Sequence, residues 1–543
     1  MKRFSFLLIM TLFSIATSFA YGLKQDGIYY NLNNIGATVT YASSSYNSYS
    51  GIVTIPSTVT CIDTYDVYSI GESAFRNCRE LTSITIPSSI ESIGNSAFLN
   101  CSGLTKINIT DLAKWCKISF ANTSSNPLAY AQSKSLYLND VEITNLVIPY
   151  NVTAIHDYAF CFGHFTSITI SSMVKSIGNS AFRCCSGLTS VTIPNYVTSI
   201  GNYAFEECSE LTSVDIGKSV TSIGSNAFSY CNDLANMTVS SNNNVYDSRE
   251  GCNAIIETAS NTLLYGCKNS IIPNSVTAIG SSAFNGCTGL TSIIIPNSVT
   301  TIGSSAFNGC TGLTSIIIPN SVTTIGAYAF ENCIGLTDAY SYIQDPSKVT
   351  VGYDAFYVSG SFDYSSRTLH VPVGTLAAYQ ADNNWYPYFG QIVEMIAVAS
   401  IELNQTSAEL TDGQTLQLTA RLMPEDATDK SVIWTSSDEA IAMVDQNGLV
   451  TAMGAGTATI TATTTDSSDL SASCIVTVQP AGLKGDVNGD GSTSIRDVTA
   501  LIDYLLSGNG TNIQMNNADV NGDGNISIKD VTDLIDLLLS SAD

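Results

Sequence analysis

The sequence predicts a multidomain, β-rich protein in which a long repeat solenoid precedes a β-sandwich and a small α-helical domain. Three observations predict this order. The dipeptide Ala-Phe recurs between residues 75 and 356, mostly at intervals of 22 or 23 residues. Short alternating strands separated by turn signals fill residues 396–480, and two acidic loops 33 residues apart each lead into an amphipathic segment. At 543 residues, the chain is also too long for one hydrophobic core.

The first residues are typical of an export signal. A basic start at Lys2 and Arg3 precedes an apolar run over residues 4–15 and a small-x-small site at residues 18–20. The apolar run is too short for a membrane anchor, and no later stretch reaches the ~20 apolar residues of a membrane span. Residues 1–20 are therefore predicted to be a signal peptide, and the mature protein to be secreted or held at a cell surface without membrane insertion.

The charge balance excludes some partners. The chain has 21 Lys and Arg against 46 Asp and Glu, a net charge of −25. Nucleic acids and anionic membrane surfaces recruit basic patches. The sequence therefore predicts no nucleic-acid partner.

The repeat is clearest where residues 281–303 and 304–326 both read SSAFNGCTGLTSIIIPNSVTTIG. A solenoid accommodates identical tandem copies because each repeat contacts only its neighbours. Within one copy, Leu290, Ile293 and Ile295 alternate like a short strand that the next proline ends.

The solenoid is predicted over residues 51–395. Residues 21–50 are predicted to cap its first repeat, and residues 364–394 its last, because an uncapped end would expose the core. The insertions at 110–148 and 239–273 keep aromatic and aliphatic residues and are expected to add strands.

The repeat pattern L-T-S-I-x-I-P-x-x-V-x-x-I-G-x-x-A-F-x-x-C resembles the BspA-like (Treponema-type) leucine-rich repeat of bacterial surface proteins. The resemblance covers about residues 51–395 and recurs many times. It implies a surface protein with a role in adhesion and ligand binding.

Cysteines recur three residues after the repeat phenylalanine, at Cys78, Cys101, Cys185, Cys208, Cys231, Cys287, Cys310 and Cys333. They could form a disulfide ladder or a metal site, or a column of buried thiols. Buried thiols are favoured, because neighbouring repeats place Cβ atoms in parallel, a poor geometry for disulfides. No histidine repeats beside them, which argues against zinc.

The strand pattern also predicts a binding surface. If Ile293 and Ile295 point inward, Ile294 and its equivalent Ile317 point outward as neighbours about 4.8 Å apart. Two exposed isoleucines are expected to form an apolar spot that helps to bind a partner, unless a neighbouring loop covers it.

Residues 396–480 are predicted to form a β-sandwich, with turns at residues 412–413 and 447–448. The segments around Trp434 and GLVTA at 448–452 resemble the group 2 bacterial Ig-like domain, and Trp434 is expected in its core. The resemblance implies a spacer or adhesive module.

The C-terminal segments GDVNGDGSTSIRDVTALIDYLLS and ADVNGDGNISIKDVTDLIDLLLS each contain D-x-N-x-D-G-x5-D, the pattern of a twelve-residue calcium loop. Ca²⁺ takes about six to eight hard oxygen ligands. One ion is predicted in each loop. The predicted ligands are Asp486, Asn488, Asp490, Ser492 and Asp497, and Asp519, Asn521, Asp523, Asn525 and Asp530; Ser494 and Ser527 could each hold a water.

Each loop leads into a helix with one apolar face. The predicted faces are Val498, Leu501, Ile502, Leu505 and Leu506, and Val531, Leu534, Ile535, Leu538 and Leu539.

Two loop–helix units without a preceding helix resemble a type I dockerin over residues 483–543. The resemblance implies calcium-dependent docking to a cohesin-type scaffold. The recognition positions of the loops hold Ile495 and Arg496 in the first unit and Ile528 and Lys529 in the second. Better-known dockerins often have Ser-Thr there, which leaves the type of partner open.

The sequence therefore predicts a secreted bacterial interaction protein rather than an enzyme. Its three histidines are scattered, and no paired carboxylates mark a cleft. The solenoid is expected to bind a ligand, favoured as a protein because its outward positions offer few aromatics, with a glycan as the other possibility. The alternative is an accessory glycan-binding or enzymatic component of a polysaccharide-degrading complex.

Overall fold

The computed structural model describes residues 22–42, 46–466, 468–479, 482–511 and 513–540. The predicted signal peptide lies outside these residues. The chain divides into two compact units, and the boundary in the sequence lies between Glu394 and Met395. The predicted order of solenoid, sandwich and helical domain is confirmed.

The first unit is the solenoid. Antiparallel strands form its first layer, and the last of them pairs in parallel with Thr64–Ile70. These strands are Leu23–Gln25, Ile28–Leu32 and Ala37–Thr40.

One series of strands carries the residues that alternate between core and solvent, and we call it the long-strand series. Successive members pair in parallel wherever they are adjacent, with the edge strand Val141–Glu142 antiparallel. The series comprises Gly51–Thr54, Leu81–Ile86, Lys106–Ile109, Leu136–Leu138, Val141–Glu142, Asn145–Val147, Ser167–Thr169, Ser190–Thr192, Ser213–Ile216, Asn236–Val239, Ser315–Ile318, Asp338–Ser341, Thr368–Val371 and Gln391–Glu394.

A second series consists mostly of two-residue strands on the return path of each repeat. It comprises Thr58–Thr60, Thr64–Ile70, Ser92–Ile93, Ser119–Phe120, Ala154–Ile155, Ser176–Ile177, Ser199–Ile200, Ser222–Ile223, Tyr246–Asp247, Ile255–Glu257, Thr262–Tyr265, Ala278–Ile279, Thr301–Ile302, Thr324–Ile325 and Thr350–Val351. The helices of this unit are short. They are the α-helices Leu112–Trp115 and Leu376–Ala381 and the 3-10 helices Thr123–Ser125, Pro127–Ala129, Arg249–Gly251, Pro346–Lys348, Tyr364–Ser366 and Tyr386–Tyr388.

The repeat phenylalanines form stacked columns in the core. Phe307 lies between Phe284 and Phe330, with ring centroids 5.0 and 5.1 Å away and the rings within a few degrees of parallel. The column ends at Phe356, whose ring meets the buried Trp385 of the C-terminal segment. That segment therefore covers the apolar end of the stack, as a cap must.

The cysteines are free thiols, all fifteen of them within the described residues. In six of the repeats the thiol donates to the carbonyl of the preceding repeat's phenylalanine, as Cys310 Sγ does to Phe284 O at 3.2 Å and Cys333 Sγ to Phe307 O at 3.1 Å. Burial raises the pKa of Cys310 well above its ordinary value. The column therefore consists of protonated thiols that join one repeat to the next.

One predicted strand is wrong. The strand expected over residues 290–295 does not form, although the identical second copy forms Ser315–Ile318. The Thr314 N–H of the second copy donates a hydrogen bond to Thr291 O of the first copy at 3.4 Å. A strand requires paired neighbours, and the preceding strand of the series, Asn236–Val239, lies before the second insertion. The first copy therefore has no adjacent strand on that side.

The second unit begins with the sandwich, whose core includes Trp434, Ile460 and Val476. Trp434 is buried, as expected. The sheets comprise Ser400–Leu403 with Ala420–Met423; Ser407–Thr411, Ser471–Gln479, Gly456–Thr464 and Val432–Ser436; and Thr415–Gln417, Leu449–Ala452 and Ala442–Val444.

The helical domain contains the α-helices Ile495–Ser507, Met515–Ala518 and Ile528–Ser540. Val498 and Leu501 of the first long helix share a core with Val531 and Leu534 of the second. Leu506 and Leu539 do not join that core and are exposed, contrary to the sequence prediction. Ile535, which also belongs to the predicted apolar face, is exposed as well. Leu506 and Leu539 point away from the core, which the residues before them, Leu505 and Leu538, still contact.

Candidate functional site

The first acidic loop is folded around its own side chains. The Asp486 carboxylate accepts from the backbone N–H of Asp490 at 3.0 Å and of Gly491 at 2.9 Å. Asn488 Oδ1 accepts from the Asp490 N–H at 2.8 Å, and Asp490 Oδ1 from the Ser492 N–H at 3.1 Å. These bonds turn the chain tightly around the side chains at positions 1, 3 and 5.

The carboxylate at position 12 closes the loop and starts the helix. Asp497 is fully buried, and its two oxygens accept from the N–H of Asn488 at 2.9 Å and of Ser494 at 2.8 Å. Ser494 and Asp497 form a reciprocal capping box at the start of Ile495–Ser507. One residue therefore both fixes the loop and satisfies the helix terminus.

The second loop repeats this geometry. Asp519 Oδ2 accepts from the Gly524 N–H at 2.8 Å, and the buried Asp530 accepts from the N–H of Asn521 at 3.2 Å and of Ser527 at 2.9 Å. Burial by itself raises the pKa of Asp530, but these backbone donors outweigh it and hold the pKa below the ordinary value. The carboxylate is therefore kept ionised.

The loops suit a hard cation. Each offers three carboxylates and one amide oxygen, together with a backbone carbonyl at position 7, which is the donor set that Ca²⁺ prefers. Among the described residues, no three His, Cys, Asp or Glu side chains already gather closely enough to hold a metal ion. In these loops the carboxylates accept hydrogen bonds from backbone N–H groups. The fit to Ca²⁺ is therefore judged from the kinds of oxygen atoms present: carboxylate, amide and backbone carbonyl. Type I dockerin domains bind calcium.

The predicted recognition residues lie on the surface beside the loops. Ile495 and Ile528 are each 70% exposed, and Arg496 and Lys529 are exposed beside them. The exposed Leu506 and Leu539 repeat at the same spacing. The duplication therefore gives the domain two similar sets of exposed apolar and basic side chains.

In the solenoid, the predicted apolar pair is uneven: Ile294 is 78% exposed, while Ile317 is half-buried. The outward position of Ile317 continues into Tyr340 and then His370 on the next two strands. The Tyr340 and His370 rings stack at 4.3 Å, and His370 Nε2 lies 3.0 Å from Asp338 Oδ1.

Sequence reasoning missed Tyr340 and His370 as surface neighbours of Ile317. The repeat consensus breaks down after residue 337, so the outward positions could not be followed from spacing alone. The available signal was an aromatic residue, Tyr340, and a histidine, His370, in two successive strand segments. We call Ile294, Ile317, Tyr340 and His370 the outward column.

Comparison with known families accounts for most of the described chain. The model of the BspA type leucine rich repeat region matches residues 45–133, 131–250 and 257–366, more than half of the chain. The model of the bacterial Ig-like domain (group 2) matches residues 397–489, and that of the dockerin type I domain residues 484–539.

Similar proteins match in part. An uncharacterized protein of Clostridium acetobutylicum is 47% identical over 91 residues, 17% of this chain and 23% of that protein. A 3-O-alpha-D-galactosyl-alpha-L-arabinofuranosidase of Bifidobacterium longum is 40% identical over 110 residues, 18% of this chain and 10% of that enzyme. The chain thus spans less than a quarter of the length of these curated relatives.

Among solved structures, a leucine rich cell surface protein from Faecalibacterium prausnitzii A2-165 is 25% identical. The match covers 70% of this chain and 95% of that one, with a TM-score of 0.46. In the part of the chain that the structure describes, no helix is both long and apolar enough to cross a membrane.

Proposed function

Because this chain belongs to the BspA-type leucine-rich repeat family and ends in a dockerin type I domain, we propose that it is a secreted bacterial interaction protein. In this proposal the solenoid binds a protein ligand, the Ig-like domain is a spacer, and the dockerin docks to a cohesin-type scaffold. Domains of these three kinds are typically non-catalytic. The duplicated exposed surface beside the calcium loops is the observation that carries the proposal.

The docking surface is proposed to be Ile495 with Arg496, and equally Ile528 with Lys529. Exposed isoleucines lose unfavourable contact with water when a partner covers them. Because the two sets have the same exposure and the same sequence position in their loops, either can present the same contacts. One ion in each loop would fix the helix start that carries each set.

We expect the full chain to capture a cohesin-type partner from secreted and surface proteins of the source bacterium in Ca²⁺, and to release it in EGTA. Ile495→Asp or Ile528→Asp alone should weaken binding by only about twofold, since one of two equivalent poses survives. Both changes together should abolish capture, because each buries a charge without a partner. Affinity capture followed by binding titration measures this.

Lys484→Ala, a surface change outside both sets, is the matched control and should bind like the unchanged chain. Capture that persists in EGTA, or in the double variant, would contradict the docking proposal.

The ligand-binding surface of the solenoid is proposed to be the outward column. Ile294 provides exposed apolar area, and the stacked Tyr340 and His370 rings extend it along neighbouring strands. Aromatic side chains of this kind anchor protein interfaces because they are large and rigid. The adjacent Asp338 adds a polar edge.

Ile294→Thr with Ile317→Thr is expected to weaken binding of a protein ligand of the solenoid by about tenfold, because apolar contact area is lost. The ligand would be isolated by the solenoid from host or bacterial surface proteins and measured by surface plasmon resonance. Ser292→Thr, a change of similar size at the other outward position, serves as the control. Unchanged binding by the double variant would remove the outward column from the interface.

A further inference from the structure

The solenoid has a cleft that is formed by other residues than those of the outward column. It is an open cleft of about 800 Å³ on the edge of the solenoid where the turns after the repeat phenylalanines stack. Four successive repeats contribute the equivalent residue to it, two positions after the phenylalanine: Phe162, Cys184, Glu207 and Tyr230. Because stacked repeats are about 4.8 Å apart, this row is about 14 Å long.

The backbone at this position is left-handed in every one of these repeats, with φ between 58° and 66°. The other left-handed positions of this column hold Asn or Gly, the residues that adopt this conformation most easily: Asn77, Asn100, Gly286, Gly309 and Asn332. Among the left-handed positions of the column, the larger side chains are those of the four repeats that line the cleft. Tyrosines also adopt this conformation two residues before the repeat phenylalanine, at Tyr158, Tyr203 and Tyr328, so the backbone conformation alone does not mark a binding site. The cleft is distinguished by the side chains that line it.

The backbone N–H groups of the row are not available to a ligand. The N–H of Phe162 donates to Arg183 O at 2.7 Å, that of Cys184 to Glu206 O at 2.8 Å, and that of Tyr230 to Asn285 O at 3.0 Å. A peptide that adds as a strand needs free N–H and C=O groups on its partner. Recognition in this cleft must therefore use side chains.

Those side chains combine ring faces with hydrogen-bonding groups. Phe162 and Tyr230 lie at opposite ends of the row. A parallel column two residues further along each repeat adds polar groups to the lining: His164, Ser186, Ser209 and Asn232. The Asn232 Oδ1 is a buried acceptor without a hydrogen-bond partner in the described chain, which calls for a donor.

The cleft carries almost no net charge. Its charged lining residues are Lys134 and Glu207. Lys134 Nζ donates to Leu128 O at 3.0 Å and to Ala129 O at 2.6 Å, and Glu207 accepts from Arg183 Nη2 at 2.7 Å. A charged ligand therefore gains little electrostatic attraction in the cleft, whereas a neutral polar ligand matches its low net charge.

Cys184 acts in this cleft as a donor and not as a nucleophile. Its Sγ donates to Glu207 Oε2 at 3.1 Å, and burial together with that carboxylate raises the pKa of the thiol to about 12. A reactive cysteine needs the opposite, a stabilised thiolate. The thiol and Arg183 together orient the Glu207 carboxylate, which lines the cleft.

From these observations we infer that the cleft bounded by Phe162, Glu207 and Tyr230 binds a short neutral oligosaccharide. Sugar hydroxyls both donate and accept, so they suit the mixture of carboxylate, hydroxyl and amide groups. The less polar faces of sugar rings suit Tyr230 and the face of Phe162 that Lys134 does not cover, since Lys134 Nζ lies over the other face at 5.1 Å from the ring centroid. This site is independent of the proposed protein ligand and of the dockerin.

The test is calorimetric titration of the full chain with cellotetraose, xylotetraose, mannotetraose, maltotetraose and arabinotetraose. At least one should bind at millimolar concentration or below. Phe162→Asn and Tyr230→Gly, which place the residues of other repeats at these positions, should each weaken that binding by about tenfold. Their melting temperatures are measured in parallel, because both rings also pack against the solenoid. A loss of binding at an unchanged melting temperature is assigned to the cleft.

Glu207→Gln keeps the side-chain shape and is the second variant, also expected to weaken binding, while Asn100→Gly in the same column outside the cleft should not. Two results would overturn the inference: no binding of any of the five oligosaccharides, or equal binding by the unchanged chain and these variants. Loss of the solenoid's protein ligand in Phe162→Asn, without loss of an oligosaccharide, would assign the cleft to a protein instead.

Discussion

Removal of Ca²⁺ is expected to unfold the loop–helix domain, and Asp497→Ala combined with Asp530→Ala should have the same effect in the presence of the ion. Each loop that binds Ca²⁺ only when folded adds about 4 kcal/mol when the ion exceeds its dissociation constant about a thousandfold. The domain has a small core, so it depends on this contribution.

Asp497 and Asp530 are chosen because each has two roles. Each is buried and fixes a helix start through backbone N–H groups, besides being the proposed ligand at position 12. Alanine would therefore remove a ligand and also leave the N–H groups of Ser494 and Ser527 without acceptors. We expect the calcium affinity of each altered loop to fall by about a hundredfold or more.

Hydrogen exchange of the amides in Ile495–Ser507 and Ile528–Ser540 measures the effect in the full chain, with Ca²⁺ and with EGTA. Protection should be lost in EGTA and in the double variant. Asp503→Ala with Asp536→Ala removes the same charge from exposed helix positions and should keep the protection. Equal protection with and without the ion would show that calcium does not stabilise this domain.

Phe307→Ala should lower the free energy of unfolding of the solenoid by about 3–5 kcal/mol, because a fully buried aromatic ring is replaced by a cavity. Phe307 is fully buried and stacks on both neighbours, so two interfaces between repeats are weakened by one change. In a solenoid each repeat is stabilised mainly by those interfaces.

Urea unfolding followed by circular dichroism measures this loss. Ser304→Ala, an exposed change three residues earlier in the same repeat, should stay within about 0.5 kcal/mol of the unchanged chain. A loss below about 1 kcal/mol for Phe307→Ala would mean that the column contributes little and that the strands carry the stability.

The Phe, Cys and calcium-loop patterns could be read from sequence because the interactions that define them recur at a fixed spacing. A buried phenylalanine every 22 or 23 residues meets its equivalent in the next repeat whatever the rest of the fold does. Likewise, the ligands of a calcium loop lie within twelve consecutive residues, so the chain brings them together locally.

Contacts across repeats with different sequences could not be read in this way. The cleft depends on which side chains four separate turns place in one row, and Phe162, Cys184, Glu207 and Tyr230 share no residue type. Leu506 and Leu539 continue the apolar pattern of their helices, yet they are exposed, because the residues before them, Leu505 and Leu538, are the ones that contact the core.

Residues 281–303 and 304–326 show most clearly which features follow from the sequence and which depend on the tertiary structure. Their identical sequences determined the repeat, the buried phenylalanine and the outward direction of Ile294 and Ile317. Only the tertiary structure decided that the second copy forms a strand and the first does not, and that Ile294 is more exposed than Ile317. The physical reason is that a strand is made by its neighbours. The second copy pairs with Asp338–Ser341, whereas the first follows an insertion, and its bond with the second copy, from Thr314 N–H to Thr291 O, does not extend into a ladder.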